Sequence, residues 1–302
     1  MQKAVAPILP VLLRDFHLLI HLFSCILVHT MQAYLKKQIF LPQDHGSWIF
    51  ILSPLIVGIF AGKNFFLATF HLIVAGMAAF MLRQPISMIV KMYAGRRTKD
   101  DLPAARFWVI AYAAITLLAL AGLITKGFGY LLYLALPGGL VFAWHLWLVS
   151  RRAERKQAGV EIVATGVLSL AAPAAYWVGV GHYDPLGWWL WLLTWLHSAA
   201  SIVYAYMRLE QREWKSIPNR YIRRRAGIRA FAYTSFNFFI SAALGLGAGL
   251  LPKWIFVPYL IQWLETLWGI DHPASGWKPT RIGIRQLIVS ILWTIAFIIA
   301  WH

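Results

Sequence analysis

The chain has 302 residues, of which 60% are hydrophobic and 13% charged, against roughly 25% charged in an average soluble domain. With a mean hydropathy of +0.63, this composition excludes a soluble globular domain and a disordered chain, and it specifies an integral membrane protein. The formal charge of +17 would suit nucleic acid, but the basic residues are distributed as a membrane topology signal, so no nucleic-acid partner is expected. A single cysteine, Cys25, excludes an internal disulfide framework and a cysteine-based metal site.

Residues 1–40 stand apart as a peripheral or mis-assigned extension. The apolar stretch 16–28 is too short to span a bilayer, and Arg14, Asp15, His17 and His21 interrupt its surroundings. No small-residue cleavage site follows, as a signal peptide would require, and Met31 is an alternative start. The membrane domain is expected over 41–302.

That domain opens with Pro42, Asp44, His45, Gly46, Ser47 and Trp48, which lead into 17 uncharged residues, 46–62. Ser53, Pro54, Gly58 and Gly62 are the small or kinking residues with which membrane helices pack closely or bend. The lead-in is similar to the P-x-[ED]-H-G-[AS]-W segment of the YwiC-like membrane proteins.

Hydropathy then resolves nine runs, near 46–62, 65–82, 107–125, 129–149, 161–180, 186–207, 230–250, 252–270 and 284–301. Gly, Pro or charged clusters separate them, and no strand-type alternation persists. The expected fold is therefore all-α, with nine transmembrane helices. From residue 36 onward, 23 Lys and Arg fall on one side of this arrangement, and only Lys63, Lys126 and Lys253 on the other. By the positive-inside rule the N-terminus is cytoplasmic and the C-terminus non-cytoplasmic, in the cell membrane or an equivalent inner membrane.

Polar chemistry is expected at the cytoplasmic ends. His197, Ser201, Tyr204 and Arg208 fall at i, i+4, i+7 and i+11 on the sixth run, one helical face that should turn away from lipid. Glu210 and Glu213 follow close to Arg212 and Lys215. At the end of the second run Arg83, Ser87 and Lys91 stand at i, i+4 and i+8, with Pro85 between them. Cations converging on a partly dehydrated mouth suit a phosphate or diphosphate group, which makes these eight residues, Arg212 included, ligand candidates. The simpler reading is a satisfied His in a helix bundle flanked by topology-setting charge.

Helix number, orientation and the two charged helix ends resemble the UbiA superfamily of intramembrane prenyltransferases, whose functional loops follow helices two and six. The segment Pro54–Gly58 is similar to a P-x-x-x-G element in one branch of it. The resemblance implies a nine-helix bundle around a cavity for an isoprenoid or quinone-like amphiphile. That superfamily holds Mg²⁺ with Asp-rich N-D-x-x-D and D-x-x-x-D motifs. Here the corresponding positions read Arg83-Gln84-Pro85-Ile86-Ser87 and Arg208-Leu209-Glu210-Gln211-Arg212-Glu213, so Mg²⁺ at an Asp-motif site is not expected, and no other metal or cofactor is indicated.

Asp44-His45 and Asp271-His272 fall at cytoplasmic helix ends and are rim candidates as a base or metal ligands; as caps they would serve structure alone. Glu265, inside the eighth run, is the buried-acid candidate, with pairing to a neighbouring Arg as its structural reading. Three functions stay open: binding or transfer of a phosphorylated amphiphile, a non-catalytic assembly or lipid-binding factor, and small-molecule transport. Unequal charge at the two ends and the lack of an evident inverted repeat weigh against the third. Membrane lipids are the expected partners, and no catalytic residue or protein partner can be named.

Overall fold

The computed structural model describes residues 34–42, 45–153 and 157–302; the extension up to residue 33 and Asp44 lie outside these. Among the described residues every regular element is helical. A single turn, Lys37–Phe40, precedes α1 (His45–Ala61), α2 (Leu67–Tyr93) and α3 (Leu102–Thr125). A 3₁₀ turn, Gly129–Leu134, leads into α4 (Ala135–Ser150), and the fifth hydropathic run folds as two collinear pieces, α5 (Ala158–Leu168) and α6 (Ala171–Val180). Then come α7 (Leu186–Arg212), α8 (Arg220–Ala242) with a π turn at Ala243–Gly247, α9 (Phe256–Asp271) and α10 (Pro279–Trp301).

Seven helical units are long and apolar enough to cross a membrane: α2, α3, α4 with its 3₁₀ turn, α5 with α6, α7, α8 with its π turn, and α10. The remaining two hydropathic runs are helices of 17 and 16 residues, α1 and α9, below the roughly 20 residues of a typical span. The opposite departure occurs at α2 and α7, both 27 residues. At 1.5 Å per residue such a helix is about 40 Å long, so its last turns extend beyond a hydrocarbon core of about 30 Å. Arg83, Ser87, Lys91, Arg208 and Arg212 all lie within these two helices, and α2 continues through Pro85.

Two helices form the centre. α1 packs against α5, α6, α7 and α10, while α7 packs against α1, α5, α6, α8, α9 and α10. Small residues let α1 lie backbone to backbone on α6. A methyl group on Gly58 would collide with the Ala172 carbonyl, and one on Gly62 would meet the Gly179 backbone. Without a hydrophobic drive between helices in lipid, such close van der Waals approach is a main source of cohesion. The same helix is tied to α10 by the buried Ser53 and Thr294 hydroxyls, 2.6 Å apart. Trp177, Tyr259, Trp293 and Phe297 fill the core around α7.

Candidate functional site

The polar face of α7 is buried along its length: His197, Ser201, Tyr204 and Arg208 are all inside the bundle. Lipid exposure of such groups costs ~2.5–3.5 kcal/mol for a charge at mid-helix, and packing against α9 avoids that cost. α9 carries a matching polar face of Gln262, Glu265, Thr266 and Gly269, at i, i+3, i+4 and i+7. Gln262 Nε2 donates to the His197 carbonyl at 3.1 Å and to Ser201 Oγ at 2.9 Å. The His197 ring lies on the indole of Trp293 from α10. About one helical turn further along α7, the Tyr204 hydroxyl donates to Glu265 Oε1 at 2.6 Å. Gly269 makes room for that phenol, since any side chain there would strike the Tyr204 ring.

Arg208 ends the stripe, and its surroundings give it a structural task. Its Nη1 donates to Gln211 Oε1 and to the carbonyls of Gly269 and His272, all at 2.7–2.8 Å. The last carbonyls of a helix lack intrahelical partners and carry partial negative charge, so a guanidinium placed on them caps α9. Trp268 and Trp277 flank the same guanidinium, with ring centroids 5.6 and 5.0 Å from Cζ. Gln211 joins the cap by donating to Gly269 and accepting from the Ala274 backbone N–H. Thus Arg208 holds together the C-terminal end of α9 and the loop that follows it.

Glu265 is an acid with a partner. Arg285, nearly two turns into α10, reaches it with Nε and Nη2 at 2.6 and 2.7 Å, the planar two-point geometry that makes Arg–carboxylate pairs strong. The Arg285 guanidinium also stacks on Trp268, with Cζ 3.7 Å from the ring centroid.

The other candidates lie elsewhere. Arg83 donates to Ser47 of α1 at 2.8 Å and lies over the Phe80 ring; Ser87 is buried in α2 and Lys91 half-buried near its end. Arg212 lies 3.3 Å from Glu213 in an exposed pair. His45 is the first residue of α1. Asp271 closes α9, with Arg220 at 4.0 Å and its carbonyl accepting from Arg223. The His272 ring stacks on Trp268. The α7 stripe and Glu265 therefore come together, while Arg83 of the α2 trio is bonded to α1. Among the described residues no three of His, Cys, Asp and Glu are grouped to hold a metal ion.

Beside the Glu265–Arg285 pair a groove of about 820 Å³ opens between α9 and α10. Its walls include Trp277, Lys278, Arg281 and Arg285 at one end, and Ile284, Ile288, Val289 and Leu292 along α10. The three isoleucine and leucine side chains are exposed on a helix that crosses the membrane, so the groove opens toward lipid. Of the residues singled out from sequence, Glu265 alone lines it. Lys278, Arg281 and Arg285 entered the sequence argument only as topology-setting charge. The available signal was Arg285, which lies one residue inside an apolar run. On the other side of α10 a smaller apolar crevice of about 370 Å³ runs against α1, between Ile56 and Phe60 on one wall and Ile295 and Ile299 on the other.

Comparison with known proteins finds similarity over part of these helices. Residues 41–176, from α1 into α6, match the family model described as YwiC-like protein. The chain is also 24% identical over 259 residues to "Uncharacterized protein YwiC" of Bacillus subtilis (strain 168), a match that covers 82% of this chain and 92% of that protein. No solved structure matches the chain. By the length and apolar composition of its helices the protein is a membrane protein, and over residues 41–176 it is similar to the YwiC-like family.

Proposed function

We propose that the protein binds a membrane amphiphile with an anionic, phosphate-bearing head group, isoprenoid or phospholipid-like, in the groove between α9 and α10. The observation that carries this reading is the polarity of the groove. Cationic side chains cluster at the end where α10 begins, and the exposed apolar face of α10 continues from them. A head group would meet Lys278, Arg281 and Arg285 while its chain ran along Ile284, Ile288 and Leu292. The 23-to-3 distribution of basic residues supports a cytoplasmic location for the charged end, in the cell membrane.

Binding is favoured over transfer by what the polar residues are already doing. Arg208 is committed to the end of α9, and Glu265 to Arg285 and Tyr204. A prenyltransferase-like mechanism would need several anionic oxygens to replace the hydration of a hard cation. The groove offers one carboxylate, and three hydrogen bonds from Tyr204 and Arg285 hold it. A lipid-binding or assembly role therefore fits the donor set better than group transfer does.

The test is photocrosslinking in membranes with a phospholipid carrying a diazirine in its acyl chain, followed by peptide mapping. The expected adducts fall on 284–292. Adducts spread evenly over exposed helix faces, with no enrichment there, would overturn the reading.

A further inference from the structure

Resting on the groove reading above, we propose that the groove selects a lipid phosphomonoester, a dianionic head group, over the singly charged phosphodiester of ordinary anionic phospholipids. Three cations line the groove, Lys278, Arg281 and Arg285, together with a single carboxylate, Glu265. Glu265 accepts from both Nε and Nη2 of Arg285, so that pair is neutral as a unit and two positive charges remain. Among the described residues neither Lys278 nor Arg281 has a side-chain hydrogen bond or ion pair. Arg281 instead lies on the Trp277 ring, with Cζ 4.0 Å from its centroid. Stacking satisfies the face of a guanidinium and leaves its rim of N–H donors for an anion. Arg285 also keeps its Nη1 outside the two-point contact with Glu265.

A phosphomonoester carries about −1.5 to −2 charges at pH 7, with a second ionisation near pH 6 and three acceptor oxygens. It matches the uncompensated pair of cations in charge and in the number of acceptors it presents. A phosphodiester would leave one of the two cations unneutralised. The apolar rail explains why the occupant is a lipid and not soluble phosphate. Arg281, Ile284, Arg285, Ile288 and Leu292 share one face of α10 at i, i+3, i+4, i+7 and i+11, so head and chain are recognised in sequence along a single helix.

The experiment titrates the full-length protein in detergent with phosphatidic acid and with phosphatidylglycerol of identical chains. Intrinsic tryptophan fluorescence reports on Trp277 and Trp268. At pH 7.5 phosphatidic acid is expected to bind about tenfold more tightly, the effect of one additional charge-assisted hydrogen bond. The preference should shrink at pH 5, where the second phosphate proton is bound. The double variant K278Q/R281Q should weaken binding of both lipids, phosphatidic acid more than phosphatidylglycerol, so that the preference is lost, and its unchanged melting temperature would establish that it folds. Equal binding of the two lipids at pH 7.5 would overturn the phosphomonoester assignment and leave the groove reading intact. Binding of neither lipid would remove the groove reading as well. Inorganic phosphate displacing phosphatidic acid would replace a lipid site by a soluble-anion site, and so overturn the proposal.

Discussion

The imidazole of His197 lies face to face with the indole of Trp293, ring centroids 4.0 Å apart and planes inclined by 13°. Among the described residues neither imidazole nitrogen has a hydrogen-bond partner, and neither does Trp293 Nε1. An unpartnered buried polar group costs ~1–3 kcal/mol, whereas an apolar group of the same shape avoids that cost. His197→Phe, which preserves stacking, is therefore expected to leave the melting temperature unchanged or to raise it. Trp293→Ala should lower stability by ~3–5 kcal/mol through loss of a fully buried aromatic. Differential scanning fluorimetry of the purified protein in detergent checks both. A marked fall for His197→Phe would mean the ring nitrogens are doing bonding that the static arrangement conceals.

Arg208→Ala should destabilise the C-terminal end of α9 specifically. The Gly269 and His272 carbonyls would each lose a charge-assisted donor, and an orphaned buried acceptor costs ~1–3 kcal/mol. Hydrogen exchange is expected to accelerate over 266–276 while the centre of α7 stays protected. Uniform exchange across the bundle would refute the local cap and indicate global loosening.

Removing one member of the Glu265–Arg285 pair should cost more than removing both. Glu265→Ala leaves a guanidinium and the Tyr204 hydroxyl without their acceptor. Breaking a buried pair costs ~3–5 kcal/mol, and since the Arg285 side chain is 34% exposed and that of Glu265 11%, solvent screening lowers the expectation to ~2 kcal/mol. The double variant E265L/R285L should recover at least half of that loss. A double-mutant cycle on melting temperatures reads this directly, with additive losses as the contrary result.

Close packing of α1 on α6 makes Gly58 and Gly76 a matched pair. A methyl at Gly58 meets the Ala172 backbone, whereas Gly76 has nothing within 4 Å of the added atom. Gly58→Ala is expected to cost ~1–3 kcal/mol by overpacking. Gly76→Ala should be neutral, or stabilising by up to ~1 kcal/mol, because it lowers the backbone entropy lost in a helix. Thermal melts of the two variants side by side decide the point.

The charge asymmetry predicts that activity reporters fused after Gly62, Gly127 and Gly181 all register the non-cytoplasmic side. Strong cytoplasmic signal from even one of them would reverse or break the orientation used above.

Helix positions were legible because hydropathy and charge act locally: each apolar run became a helix, and the 3.6-residue phase of His197, Ser201, Tyr204 and Arg208 put them on one buried face. Their partners were not legible. Gln262 and Trp293 meet His197 only because α9 and α10 flank α7, and nothing in the α7 phase names those neighbours. Arg208 read as a phosphate ligand because a basic residue at a helix mouth looks alike whether it faces an anion or the end of another helix. The groove was hidden for a different reason. Lys278 and Arg281 serve the positive-inside pattern equally well in any tertiary setting, so charge counting cannot distinguish an anchoring cation from a binding one.

α10 is the shared wall of two crevices, the charged groove against α9 and the apolar one against α1. Ser53 and Thr294 hold the wall to α1, and Arg285 holds it to α9 closer to the N-terminal end of α10. A rigid helix pinned at two heights to opposite neighbours would act as a lever: were its N-terminal end to swing away from α9, it would turn about the Ser53–Thr294 contact. Widening one opening would then change the width of the other.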